Sequence, residues 1–203
     1  MRSILLPANV QARAPMQMIC FPGAYDNAQT FVDEGFASAV AKRGIDLDLR
    51  LVDLEMSHLQ DQAPLERLRF EMILPARAAG VSTWLAGISL GGLLALDYAS
   101  AHPGEIDGLC LLAPYLGNRM LIDEIAAGRL AQSGAEHRIW RYVKTESGAV
   151  PVYLGYGRQD RFSRSHDLMA TTMPAKNVVV IDGGHEWNTW LKLWERFLDL
   201  QFT

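Results

Sequence analysis

The chain has 203 residues, 49% of them apolar and 21% charged, enough to bury a core as one soluble domain and a tight fit for two unrelated ones. Its 19 Lys and Arg against 23 Asp and Glu give a net charge of -4, which argues against a polyanion-binding protein, so no nucleic-acid partner is expected. Both cysteines, Cys20 and Cys110, lie inside apolar runs, as reduced core thiols do, and this points to a reducing, cytoplasmic compartment.

In chain order, the first residues offer only Arg2 and a few apolar side chains before Pro7 and Asn9, less than a signal peptide needs. Short apolar runs then alternate with longer segments of helical periodicity, the pattern of an α/β protein with helices on both faces of a mostly parallel sheet. The strand candidates are Met16 to Phe21, Asp46 to Leu54, Thr83 to Ile88, Gly108 to Ala113, Val152 to Tyr156 and Asn177 to Asp182. Most are near-continuously apolar, as strands buried on both faces are. Asp46 to Leu54 instead alternates Leu47, Leu49 and Leu51 with Asp48, Arg50 and Asp53, which predicts a wetter face and a place toward an edge.

Between these strands, Gln29 to Arg43 predicts one surface helix with Val32, Phe36, Ala39 and Val40 on its buried side. Leu65, Leu68, Met72, Ala76 and Ala79 predict another, with a kink or early stop at Pro75. The stretch Trp84 to Leu96 is interrupted by Ser89 and three glycines and falls short of the ~18 residues of a membrane span. From Tyr115 to Val150 two amphipathic pieces, Arg119 to Leu130 and Glu136 to Lys144, form an excursion too long for an ordinary connection. Met120, Leu121 and Ile125 are expected on one helical face there, followed by Trp140, either walling a pocket or packing on the sheet. Trp187, Trp190, Leu191, Trp194, Phe197 and Leu198 recur at steps of three and four and predict a final helix docked on the sheet, with no chemistry assigned to the tryptophans.

The chemistry concentrates where strands end. Thr83 to Ile88 runs into Gly87-Ile88-Ser89-Leu90-Gly91-Gly92 and then into a helical run, so Ser89 occupies a strand-to-helix turn with glycine two residues to either side, a nucleophile elbow. The string alone occurs by chance roughly once in twenty chains of this size; its position at such a junction gives it weight. The turn strains the serine backbone and sets the Leu90 N–H at the helix's positive end, where an oxyanion would be favoured.

A serine hydroxyl needs a base. His185 follows the last strand through Gly183-Gly184, and Asp160 follows the strand before it in Gly155-Tyr156-Gly157-Arg158-Gln159-Asp160; both loops belong to the carboxyl edge of the sheet, where parallel sheets gather ligands. Asp182 is the rival acid, with a turn-forming role as its alternative. His58, His137 and His166 lie among polar neighbours and His102 at a helix end, as solvated or capping residues do. The second oxyanion donor is expected in Phe21-Pro22-Gly23-Ala24-Tyr25-Asp26-Asn27, from the Ala24 amide or, alternatively, Tyr25. Arg158, Arg161 and Arg164 surround the acid and either orient an anionic substrate or simply face water. His185-Glu186 lacks the second histidine of a zinc motif, and neither Gly155-Tyr156-Gly157 nor Gly87 to Gly92 completes a nucleotide motif, so no metal or cofactor is expected.

From about Met16 onward the sequence resembles the α/β-hydrolase family: the elbow Gly87-Ile88-Ser89-Leu90-Gly91, the Phe21-Pro22-Gly23 loop, Gly157-Arg158-Gln159-Asp160 and Gly183-Gly184-His185 match in order and spacing. The resemblance implies a single domain over 1–203 with a mostly parallel sheet of about eight strands, of which this chain has room for six or seven, and the excursion at 115–150 is too short for a full lid domain. It implies a serine hydrolase, of the small esterase kind, acting on an ester through Ser89, His185 and Asp160, with Ala24 and Leu90 as oxyanion donors and Tyr25, Met120 and Ile125 toward the substrate. A thioesterase or acyltransferase would use the same residues on an ester or thioester, and a non-catalytic binding module would keep the fold without the chemistry.

Overall fold

A computed structural model of the chain describes residues 2–53, 63–130, 134–145 and 150–202; Leu54, His58 and the stretches 131–133 and 146–149 of the excursion lie outside them. One sheet has the order β1-β3-β2-β4-β5-β6-β7, built from β1 (Ser3–Leu6), β2 (Met16–Phe21), β3 (Leu47–Val52), β4 (Ser82–Ile88), β5 (Gly108–Leu112), β6 (Val152–Gly157) and β7 (Val178–Ile181). All pairings are parallel except β1 with β3. β3 lies toward an edge as expected, second in the sheet, and the edge itself is β1, a strand with no signal in the sequence. Asp48, expected on the wetter face, is buried and accepts the Ala8 N–H at 3.0 Å, and Arg50 donates to Gln17 Oε1 at 2.8 Å.

The single helix expected over 29–43 is two, α1 (Ala28–Asp33) and α2 (Phe36–Arg43). Gly35 turns the corner between them with φ +87°, a conformation open to glycine, and the corner lets the Phe31 and Phe36 rings meet edge-on at 5.2 Å. Pro75 neither stops nor ends its helix: α3 (Ala63–Leu68) and α4 (Leu74–Ala78) are joined by a π-helical turn at Arg69–Ile73. That register change accommodates a residue without an N–H whose ring crowds the carbonyl four positions earlier. Gln17 and Thr83, side by side on the face that segment covers, bond to each other at 3.0 Å, and Gln17 also donates to the Met72 carbonyl.

The opposite face carries Trp84 and Tyr153, and α9 (Trp187–Phe202) lies on it with Phe197 5.7 Å and 5.2 Å from those rings. Its buried Trp190, Trp194, Phe197 and Leu198 are the stripe predicted. Buried apolar side chains of this size stabilise by about 1.5–3 kcal/mol each, so the helix is firmly fixed behind the sheet edge it leads from. Under the elbow, α5 (Leu90–Ala101) is buried on nearly every side.

The excursion supplies α6 (Arg119–Ala126) and α7 (Ala135–Thr145). α7 is fastened to α5 by Arg138, which pairs with Asp97 and reaches Ser100 Oγ at 3.2 Å, and to the loop after β5 by the Trp140 indole, which donates to the Leu116 carbonyl at 2.9 Å. Met120 and Ile125 do not share a face as expected: α6 turns Leu121, Ile122 and Ile125 into the core, Ile125 being 1% exposed, while Met120 is 70% exposed. Past β6 comes α8 (Ser163–Ala170). Among the described residues no helix is long and apolar enough to cross a membrane.

Candidate active site

Three strand ends deliver the groups. β4 ends at Ser89, whose φ of +51° and ψ of -111° are strained for a residue with a Cβ. The strain persists because the turn is held from both sides: the Ser89 N–H donates to the Leu112 carbonyl at 3.0 Å, and the Ser89 carbonyl accepts the Tyr115 N–H at 2.8 Å. Both flanking glycines are obligatory. A Cβ on Gly87 would run into the Gly91 carbonyl, and one on Gly91 into the carbonyl of Phe21 at the end of β2. This second close approach is what brings the β2 loop against the start of α5.

His185 follows β7 and Asp160 follows β6. His185 Nε2 lies 2.9 Å from Ser89 Oγ, and its Nδ1 lies 2.7 Å from Asp160 Oδ2. The other carboxylate oxygen accepts the Phe162 N–H at 2.8 Å. Asp182, the rival acid, is exposed and sits 3.4 Å from Arg158. Burial pushes the Asp160 carboxyl up, but the hydrogen bonds from His185 and from the Phe162 amide, with the nearby imidazoles, outweigh it and hold the group below its usual value. An ionised carboxylate on Nδ1 leaves Nε2 free to accept the serine proton.

The two loops are also bound to each other. Gln159 accepts the Gly183 N–H on its side-chain oxygen at 2.6 Å and donates its own N–H to the Gly183 carbonyl at 3.0 Å, while the Arg158 N–H reaches the Ile181 carbonyl at 2.7 Å. The motif that carries the acid gives no local sign of this role for Gln159. Trp190, assigned to packing, also meets His185: the rings of Trp190 and Phe162 stand edge-on to the imidazole at 4.9 Å and 5.1 Å. They fix its plane from two directions.

His166 departs from its expected place among solvated residues. It is fully buried, with Nε2 2.9 Å from the Pro114 carbonyl, which can only accept, so the proton is on Nε2; Nδ1 has no partner among the described residues. Burial pushes its pKa down, more than the Pro114 bond raises it. The contact ties α8 to the loop that follows β5 and holds Ser89.

On the other side of Ser89, the turn at Gly23 closes through the Asp26 N–H to the Gly23 carbonyl at 3.3 Å. The Ala24 and Leu90 N–H groups have no acceptor among the described residues. Tyr25 has φ +70° and a side chain 93% exposed. Asp26, nearby, is pushed up chiefly by burial, partly offset by a bond from Trp187. The arrangement can move a proton from a hydroxyl to an imidazole backed by a carboxylate, with two unpaired amides beside the hydroxyl. Among the described residues no group of histidine, cysteine and carboxylate side chains could hold a metal.

No protein-family profile matches this sequence, and no curated protein matches it. Solved structures match in shape. The fluorophosphonate-binding serine hydrolase F (FphF) of Staphylococcus aureus superposes with a TM-score of 0.69 at 15% identity, over 97% of this chain and 90% of that one. The monoacylglycerol lipase of Paleococcus ferrophilus gives 0.61 at 13%, over 97% and 96%. The thioesterase domain from the curacin biosynthetic pathway gives 0.60 at 16%, over 99% and 94%. At such identities the likeness is one of fold.

Proposed function

The chain has the α/β-hydrolase fold, and we propose that on it Ser89, His185 and Asp160 hydrolyse a carboxylic ester of a small or medium-sized substrate. The observation that carries this reading is the unbroken line of hydrogen bonds, 2.9 Å and 2.7 Å long, from a strained Ser89 through His185 to Asp160. A binding module on this fold would gain nothing from holding a serine at that backbone cost of about 1–3 kcal/mol.

The steps follow from the geometry. Ser89 Oγ attacks the carbonyl carbon as His185 Nε2 takes its proton, and the carbonyl electrons move to oxygen, where the Ala24 and Leu90 amides receive the charge. The tetrahedral species collapses, the bond to the leaving oxygen breaks, and His185 returns the proton to that oxygen. Water, deprotonated by the same imidazole, then attacks the acyl-serine and releases the acid and Ser89. Asp160 fixes the imidazole with its proton on Nδ1 and stabilises the imidazolium of each step. Tyr25 and Met120, both exposed, are the residues we assign to the substrate, whereas Ile125 belongs to the core. The same residues serve a thioester, whose leaving group is sulfur, and the fold shared with a thioesterase domain supports testing one. Two free, buried thiols at Cys20 and Cys110 support a reducing, cytoplasmic setting.

A chain-length-graded panel of p-nitrophenyl esters, with a matched thioester, tests this. The expected result is turnover preceded by a burst of p-nitrophenol stoichiometric with enzyme. Folded protein that hydrolyses neither ester nor thioester would leave the fold to a binding role.

A further inference from the structure

We propose that the cleft between α6 and α8 is an anion subsite, which takes a carboxylate or phosphate carried by the substrate and holds it beside His185; the proposal rests on the serine-hydrolase reading above. The cleft has a volume of about 370 Å³, with Ile122 and Phe162 among its apolar walls and Arg119, Arg161 and Arg164 around it. Arg164 is engaged by Asp123. Arg161 lies over the Phe162 ring at 4.9 Å, and neither Arg161 nor Arg119 has a carboxylate partner among the described residues. Three arginines thus border an opening with apolar walls, and among the described residues only Arg164 has a carboxylate partner. Such a site favours an anionic head on a short apolar or aromatic stem, since guanidinium matches carboxylate and phosphate oxygens in pairs. The first turns of α6 and α8, which start at Arg119 and Ser163, border the same opening and add partial positive charge.

Its place in the fold ties the cleft to the reaction. Phe162 is the wall it shares with the reacting groups, its ring 5.1 Å from that of His185 and 5.5 Å from that of Tyr115. In the sheet order β2-β4-β5-β6, the cleft stands over the ends of β5 and β6, and the Ala24 loop follows β2, so the two lie on opposite sides of Ser89. A carbonyl whose oxygen points toward Ala24 and Leu90 leaves its other substituents to run toward the cleft. Of the three arginines the sequence grouped around the acid, Arg158 is not part of it, being turned to Asp182 at 3.4 Å; Arg119, 39 residues before Arg158 in the chain, takes its place.

The test compares phenyl acetate with 3-acetoxybenzoate, the same ester carrying a carboxylate. The ratio of kcat/KM for the anionic over the neutral ester is measured in the wild type, in an Arg119→Gln/Arg161→Gln double variant and in Arg158→Gln as a control; differences in intrinsic reactivity cancel between proteins. The ratio is expected to fall at least tenfold in the double variant, chiefly through KM, and to stay within twofold in Arg158→Gln. Added salt should shrink the difference. In parallel, phenylphosphonate is titrated onto the Ser89→Ala protein, where it should raise Tm only while Arg119 and Arg161 are present. Equal ratios in all proteins, or phenylphosphonate binding indifferent to the two arginines, would overturn the subsite and leave the hydrolase reading intact. Arginine-dependent phenylphosphonate binding with neither ester hydrolysed would overturn the hydrolase reading and leave an anion site on the fold.

Discussion

The two sides of Phe162 are built differently. On one side, Ser89 and Asp160 are buried, His185 is half-buried, and backbone bonds hold their loops: Leu112 and Tyr115 fix the elbow, and Gln159 and Gly183 lock the acid loop to the histidine loop. On the other, Arg119 and Arg161 stand exposed, and Arg161 lies over the Phe162 ring. The difference separates two tasks. Proton transfer needs atoms positioned to a fraction of an ångström before the substrate arrives, whereas recognition of a charge tolerates long side chains that settle onto their partner. Changes on the rigid side should therefore act on kcat, and changes on the exposed side on KM and selectivity.

Short of removing the serine or the histidine, the largest effect expected on the rigid side is at the acid. Asp160→Asn should lower kcat about 10⁴-fold, because an amide favours the wrong imidazole tautomer, while Asp182→Asn should change it by less than threefold. Parallel kinetics on one ester check this; a greater loss at Asp182 would break the comparison at its root. On the excursion, Ile125→Ala should cost about 2–5 kcal/mol by opening a cavity, read from urea unfolding. Met120→Ala should leave stability within about 0.5 kcal/mol and shift the preferred acyl length. If Ile125→Ala altered chain-length preference at unchanged stability, Ile125 would belong to the pocket after all.

A smaller effect concerns His166, which bridges the two sides. His166→Phe leaves the buried Pro114 carbonyl without a donor, worth about 1–3 kcal/mol. The wild-type pKa is lowered on folding, so the unfolded chain binds the proton more tightly. The penalty is absent above the unfolded value of about 6.5 and grows as pH falls from there toward the lowered folded value. Between pH 7 and 5 the wild type should therefore lose more stability than His166→Phe does. Denaturant melts at the two pH values check it, and equal losses would mean that His166 titrates normally.

The parts of this molecule that could be read in its sequence are those set by local pattern. Continuous apolar runs located β2, β4, β5, β6 and β7, and glycines at fixed offsets marked the turns at Ser89 and His185. What stayed hidden depends on distant partners. β1 is a four-residue strand with alternately exposed side chains, defined only by its pairing with β3. His166 sits between Ser165 and Asp167, and only its contact with Pro114, 52 residues away, reveals it as buried. Gly35 could have signalled the break between α1 and α2, but the apolar stripe runs across it unbroken. In the candidate site, Ser89, His185 and Asp160 are legible because each follows a strand end beside glycines. The roles of Gln159, Trp190 and Arg119 are not legible, because each acts through a loop or ring that the chain brings near only on folding.

The central claim is that Ser89 is the nucleophile, and its most direct test is fluorophosphonate labelling of the folded protein followed by peptide mapping. The account predicts a single adduct on Ser89, prevented by Ser89→Ala, with an unchanged Tm for the unlabelled variant. Labelling that persists in Ser89→Ala, or an adduct mapped to any other residue, would contradict it.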